Sequence, residues 1–388
     1  MRTAILSALL LLAAALPAAA QDKAKPNTLT PKEIADGWIL LFDGETTFGW
    51  HKQSGDVTVE RDETLGECLR ISKDGFAYLH SPFREFEISF AYLLPKPFDR
   101  PTFALFPVSQ KPKTSEIDVV LLRFKEKPTS VTCRVTSETI ASRLAPDQDP
   151  DERDRRLPDK PARLCFAGNV AARDVRLRPL NTKSLFNGKD LTGWKTFPGK
   201  KSVFTVEDGA IVCKNGPGDL QTEGKYANFV LQLECKSNGK HLNSGVFFRC
   251  KPNEYQNGYE AQIHNNFTAD PAKEYTVDEY DPKTHELTGK KKVKSAAVDF
   301  GTGAIYRRVP ARKQTAKDGE WFTMTIVAHG NHIATWANGI QQVDWYDNRP
   351  ANDNPRNGCR LEAGHISIQG HDPTTDLSFR NIRIAELP

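Results

Sequence analysis

Hydrophobic and polar residues alternate along much of this chain, and a period of two predicts strands whose successive side chains face opposite ways. Through 243–249, Val246 and Phe248 fall on one side, and Phe247 and Arg249 on the other. Through 258–265, Tyr259, Ala261 and Ile263 share a face, which leaves Glu260, Gln262 and His264 together on the opposite one. Three polar side chains in register predict the floor of a binding cleft, since a face that only meets water needs no such set. Phe229, Leu231, Leu233 and Cys235 alternate in the same way, as do Phe322, Met324, Ile326 and Ala328. Asn338-Gly339 reads as a hairpin turn between two such runs. Helical periodicity is confined to a short turn at 31–35, before Trp38. Many short strands separated by turn residues predict an all-β fold of the jelly-roll sandwich type.

The pattern repeats. Leu41-Phe42-Asp43-Gly44 and Gly49-Trp50 recur as Leu185-Phe186-Asn187-Gly188 and Gly193-Trp194, an offset of 144 positions (185 minus 41). The closing strands match too, 175–180 against 382–387. The chain therefore reads as an internal duplication, two β-sandwich domains in tandem over 38–180 and 185–388, with 21–37 as an N-terminal linker. Trp50 and Trp194, repeated in both copies, are expected in the cores. The second copy is longer, and the surplus over 265–320 is polar and aperiodic, which predicts a long functional or mobile loop.

Composition changes the picture in three places. Arg2, an apolar run over 4–16 and Ala18-Ala19-Ala20 predict an export signal over 1–20, cleaved after Ala20, and hence a periplasmic or secreted protein. That run is too short for a transmembrane segment. Lys and Arg total 53 against 49 Asp and Glu, and no basic stripe is present, which argues against nucleic acid as a partner. Seven cysteines without a C-x-x-C or Cys/His spacing give no zinc motif. Disulfides and buried free thiols are both open readings, the latter for Cys213 and Cys235 in particular.

The L-F-[DN]-G-x-x-x-x-G-W opening, N-S-G-V-F-F-R at 243–249, G-Y-E-x-Q-I at 258–263, G-T-G-A-I-Y at 301–306 and F-R-N-I-R-I at 379–384 together resemble the 3-keto-disaccharide hydrolase family. The resemblance spans 185–387 well and 38–180 weakly. It implies a concanavalin-A-like jelly-roll and, from relatives described as 3-keto-glycoside lyases with a hydratase activity, a carbohydrate substrate. Where many members read E-x-Q-[IV]-L-D, this chain has Glu260-Ala261-Gln262-Ile263-His264-Asn265, an amide in place of the closing carboxylate.

A 3-keto group acidifies the C2 proton of a sugar, so such a site needs a base, a donor or cation for the enolate oxygen, and an acid for the departing oxygen. Glu260 or His264 could be the base; Arg249, Gln262, or a divalent metal held near Glu260 and His264 could meet the oxyanion. Asn265, Tyr306, Arg307, His371 and Tyr259 are the candidate substrate-binding residues. The plainer readings are a structural Glu260–Arg249 ion pair, a turn histidine at 371 and a solvated loop at Arg307. In the first copy Glu116 and Asp118 stand where Glu260 and Gln262 do, without a following histidine, so that copy is expected to be a degenerate partner. A non-catalytic glycan-binding or envelope interaction protein using the same face is the competing expectation.

Overall fold

The computed structural model describes residues 25–94, 102–108, 119–123, 129–136, 140–144, 151–153, 160–252, 254–268 and 273–388. The expected export signal over 1–20 lies outside the described residues, as do Glu116 and Asp118. Among the described residues the fold is all-β, apart from one short helix, Pro31–Ala35. Thr30 caps that helix from outside and Glu33 bonds back to the Thr30 backbone, a reciprocal arrangement that lets so short a helix hold its first turn.

Two β-sandwiches follow the same strand order. In the first, the larger sheet runs Val57–Asp62, Gly66–Ile71, Val170–Pro179, Phe86–Leu93, Thr129–Val135, Ile140–Leu144, Asp151–Arg153. In the second it runs Val203–Glu207, Ala210–Lys214, Asp376–Glu386, Phe229–Ser237, Phe322–His329, His332–Ala337, Ile340–Tyr346. The smaller sheets correspond as well: Trp50–Ser54, Phe76–Leu79, Ala162–Ala167, Thr102–Pro107, Val119–Arg123 against Trp194–Thr196, Gly218–Thr222, His365–Gly370, Ser244–Cys250, Tyr259–Ile263. The repeated opening motif makes the same local structure twice. Trp50 Nε1 donates to the Leu41 carbonyl and Trp194 Nε1 to the Leu185 carbonyl, at 2.6 and 2.7 Å. Gly49 and Gly193 sit at φ 86° and 84°, a left-handed conformation that a side chain would strain.

Each sandwich closes over its own core. In the second, Leu231 and Ile326 from the larger sheet meet Val246 and Ile368 from the smaller one. The two sandwiches are also packed on each other. Val230, Val327, Ala334 and Trp336, on the outer face of the second larger sheet, join the apolar cluster of the first copy, and Trp336 Nε1 donates to the Leu40 carbonyl. Residues 25–37 run along this seam: Asn27 bonds to Asp174 and Glu67, and the Gly37 carbonyl accepts from Gln232.

The segment over 265–320 is not a plain loop. It contains a two-stranded ribbon, Lys273–Tyr280 with Leu287–Ser295. Its residues are mostly exposed, so no buried face imposes an alternation that a sequence could reveal. Cross-strand ion pairs such as Lys292–Glu274 at 3.0 Å mark it instead, and Lys290, Lys291 and Lys292 lie on a strand of this ribbon. All seven cysteines are buried free thiols.

Candidate functional site

The strand Tyr259–Ile263 splits as its alternation predicts. Tyr259, Ala261 and Ile263 enter the core, and Glu260 and Gln262 turn to the other face, with His264 following. The neighbouring strand pairs Phe247 with Glu260 and Gly245 with Gln262. A Cβ at Gly245 would stand 2.8 Å from the Glu260 Cγ and Oε1, so the glycine makes room for the carboxylate. Two further strands extend the face, with Asp219 opposite Gln369 and Gln221 opposite Ser367. Their alternate residues, Leu220, Ile366 and Ile368, belong to the core. The smaller sheet therefore carries Asp219, Gln221, Ser367, Gln369, Glu260 and Gln262 on one buried polar face.

The first copy has the same pairing with different chemistry. Phe76 lies opposite Ala167 and Tyr78 opposite Cys165, and with Ala104 and Phe106 they form an apolar cluster. What is polar in one sandwich is greasy in the other.

Two carboxyl groups dominate the electrostatics. Burial pushes Glu260 up to about 7, with Asp299 and Asp219 adding repulsion and Arg356 and Arg307 opposing it. Burial likewise lifts Asp219 to about 7, against the Gln256 N–H, Lys200 and Arg356. Arg356 Nη2 donates to Glu260 Oε2 at 3.3 Å, and its Nε donates to the Gln256 carbonyl at 2.8 Å. The Gln256 N–H in turn donates to Asp219 Oδ2 at 3.0 Å, so one short segment links both carboxyls. Tyr255 stands at this edge with Lys200 Nζ 3.9 Å above its ring.

The other edge is built by 299–303 and Asp318. Asp299 accepts from Asn243 at 2.7 Å and from the Gln262 amide at 3.2 Å. Asn265 accepts from Thr302 at 2.5 Å and donates to Asp318 at 3.1 Å, which fixes both ends of its amide. The His264 N–H donates to the Thr302 hydroxyl at 2.9 Å. Its ring lies 6.5 Å from that of His241, nearly parallel, and burial pulls its pKa down. Asp299 and Phe300 hold left-handed φ values of 47° and 68°, followed by Gly301 and Gly303 at 76° and 90°. Such a run costs backbone energy at the two residues with side chains, and it bends the segment over the face.

Several buried polar atoms here have no hydrogen-bond partner among the described residues: Asp219 Oδ1, both amide atoms of Gln221, Gln262 Oε1, Gln369 Oε1 and His264 Nδ1. Each such atom costs about 1–3 kcal/mol when left unpaired. Gathered on one face, they offer hydrogen bonds to water or to a ligand that brings many donors and acceptors. Two carboxyls poised near neutrality beside a guanidinium also permit proton transfer to and from that ligand.

Glu260, Gln262, His264 and Asn265 are thus neighbours. Tyr259 is not on this face: its ring stacks on Phe248 in the core and its hydroxyl donates to Asp347 at 2.7 Å. Arg249 is also elsewhere. A register shift between Phe247 and Cys250 and a φ of 51° turn it into a cage of carbonyls, so the ion partner of Glu260 is Arg356 and not Arg249. Tyr306 donates its N–H to the Glu260 carbonyl, and its ring leans on Phe300. Arg307 is exposed and reaches Glu260 through its charge alone. His371 stands in the turn after His365–Gly370 with Nδ1 2.9 Å from Asp372. Among the described residues Glu260 and His264 belong to no group of three converging metal-ligand atoms. Sequence reasoning missed Asp219, Gln221 and Arg356. The alternation of Asp219 and Gln221 about Leu220 was the available signal for the first two; Arg356 lies in an aperiodic loop and gives none.

A family model described as the 3-keto-alpha-glucoside-1,2-lyase-like domain matches residues 181–385. The chain is 29% identical over 240 residues to a curated relative, the 3-keto-disaccharide hydrolase of Bacteroides thetaiotaomicron, spanning 53% of this chain and 78% of that one. Among solved structures, a candidate glycosyl hydrolase of Parabacteroides distasonis is 25% identical, with 53% of this chain and 94% of that chain covered at a TM-score of 0.40. A second candidate glycosyl hydrolase from the same organism is 26% identical, covering 53% and 100% at a TM-score of 0.38.

Proposed function

The chain belongs to the 3-keto-alpha-glucoside-1,2-lyase-like family, and on that footing we propose that it is a carbohydrate-active enzyme cleaving 3-keto-glycosides on the polar face of its second sandwich. One observation carries the reading: unpaired buried polar atoms surround two carboxyls that both titrate near neutrality. A sugar ring presents hydroxyls to satisfy the first, and an elimination needs one base and one acid, which the second supplies.

Glu260, paired with Arg356, acts in its ionised form and takes the C2 proton, leaving the electrons on the C3 oxygen as an enolate. The unpaired Gln221 amide is the donor for that oxygen. The enolate then collapses: the C3 carbonyl re-forms, a C1–C2 double bond forms and the C1–O bond breaks. Asp219, whose Oδ2 is taken by the Gln256 N–H, carries its proton on Oδ1 and gives it to the departing oxygen. Water adding across the C1–C2 bond completes a net hydrolysis. His264, Gln262 and Asn265 stand beside Glu260 on this polar face and orient the ring. In this reading residues 38–180 form a supporting copy and 185–388 the one with the chemistry.

The test is incubation of the purified protein with a 3-keto-disaccharide and with its unoxidised parent. Free sugar is expected from the keto compound only, because without the ketone the C2 proton is not acidic. No release across several linkages would sink the enzymatic reading, and retention of glycan without cleavage would replace it with a binding role.

We also propose export. The N-terminal 20 residues have the composition of a cleavable signal, and the mature protein is then periplasmic or secreted. Terminal sequencing of the protein recovered from its source should begin at Gln21; an intact Met1 terminus refutes the idea.

A further inference from the structure

We propose that His51, His80 and Asp344 form a divalent transition-metal site that clamps the two sandwiches together. The donor atoms of all three lie within 4.8 Å of one another. His51 Nε2 stands 2.5 Å, and His80 Nδ1 3.4 Å, from the same oxygen, Asp344 Oδ2. The histidines come from the first sandwich, His51 on Trp50–Ser54 and His80 just beyond its partner strand Phe76–Leu79. Asp344 comes from Ile340–Tyr346, the outermost strand of the second larger sheet. Asp344 lies opposite Ala334 on the larger sheet, on the side that packs on the first sandwich, whereas the polar face belongs to the smaller sheet, so the two sites are separate.

The surroundings orient these ligands as metal sites require. His332 Nε2 lies 2.7 Å from the other carboxylate oxygen, Asp344 Oδ1, which holds the carboxylate in plane and leaves Oδ2 for an ion. The buried His332 Nδ1 has no partner among the described residues, so this ring's one polar contact there is to Asp344. Tyr346 packs edge-on to His80 and against His332, and walls the inner side. Asp344 is only 4% exposed, whereas His51 is 34% exposed, so the group has an aqueous side through which an ion can enter and keep a water.

The chemistry of the pocket calls for one cation shared by two rings. His51 and His80 stack with centroids 3.2 Å apart and aim a nitrogen each at one oxygen. Both nitrogens and the shared carboxylate oxygen lie close enough together for one dication to take all three as ligands. Two imidazole nitrogens and one carboxylate oxygen, with a position left for water, suit zinc or a neighbouring late divalent ion; magnesium and calcium prefer oxygen throughout.

The experiment uses the full chain without a histidine tag, stripped with chelator and titrated with zinc by calorimetry and with cobalt(II) by absorption. One ion per chain is expected, with a rise in Tm of roughly 5 °C or more at a hundredfold excess over Kd. His51→Gln and His80→Gln should each weaken binding by at least about tenfold. His51 is partly exposed and glutamine keeps a donor for Asp344 Oδ2, so this variant should hold a metal-free Tm within a few degrees of the parent. Glu260→Gln should bind zinc like the parent, which separates this site from the polar face. Absence of stoichiometric binding, or binding unchanged in both histidine variants, overturns the proposal.

Discussion

Glu260→Gln should lower turnover of a 3-keto-disaccharide by about 10²–10⁴-fold and, above neutral pH, make the protein more stable than the parent. The activity loss follows from the proposed role, because an amide cannot take the C2 proton. The stability gain follows from burial. Glu260 is raised from its ordinary 4.5 to about 7, so the folded chain holds its proton to higher pH than the unfolded chain does. Below about pH 4 both states are protonated and the residue costs nothing. As pH climbs from about 4.5 through 7, the unfolded chain has already released its proton, and folding must either keep the proton bound or bury a charge. Stability therefore falls across that window, by about 3 kcal/mol for a group displaced this far. Glutamine removes the cost while keeping the shape, so the variant should melt several degrees higher at pH 8 and about level with the parent at pH 4. Asp219→Asn should behave alike, since Asp219 is displaced in the same direction and is as deeply buried. The parental kcat/KM should pass through a maximum near neutrality, with two apparent values that belong to the Asp219–Glu260 pair jointly. Thermal melts of both variants across pH 4 to 8 decide the matter. A Glu260→Gln protein that melts lower than the parent at pH 8 would show that the carboxylate is satisfied by its surroundings and is structural.

This trade between stability and chemistry also explains why the two sandwiches differ. The first fills the corresponding face with Phe76, Tyr78, Phe106 and Ala104, which contributes burial and asks nothing of a ligand. The second leaves Gln221, Gln262 and Gln369 with atoms unpaired among the described residues. A scaffold that spends stability on one face benefits from support elsewhere, and Trp336 and its neighbours obtain it by packing on the first copy.

Much of the fold was legible because strand geometry has an invariant period. Tyr259 and Glu260 could be sent to opposite faces from their numbers alone, and a repeated Gly-Trp motif announced two equivalent starts. The floor of the candidate site was legible for the same reason where a motif drew attention to it. Asp219 obeys the identical alternation but lies in a strand that no motif marks. Arg356 and Asp299 reach the site from segments with no period at all. The His51, His80 and Asp344 group joins positions as many as 293 residues apart, and proximity of that kind is a property of topology.

Arg249 shows the opposite failure, a residue within a family motif whose alternation points to the wrong place. Its substitution should damage the fold and spare the chemistry. One extra residue in the strand at this point shifts the register, and the left-handed φ of 51° swings the side chain off the polar face. The guanidinium then donates to the carbonyls of Ala227, Gly330 and Arg360 at 2.8, 2.7 and 2.9 Å, and approaches Asn228 Oδ1 at 3.3 Å. Three carbonyls from three separate segments converge on this one planar fork, while Asn228 Oδ1 also accepts the Gly330 N–H at 2.9 Å. Arg249→Ala leaves these carbonyls without that donor, the Arg360 one buried, beside a cavity, which should cost about 3–5 kcal/mol and lower Tm by about 10 °C. Arg249→Lys should recover only part of the loss, because an ammonium cannot reach carbonyls in the directions a guanidinium spans. Measured per folded molecule at a permissive temperature, kcat and KM should stay within about threefold of the parent in both variants. A variant that keeps its melting temperature while losing kcat would instead return Arg249 to the reaction.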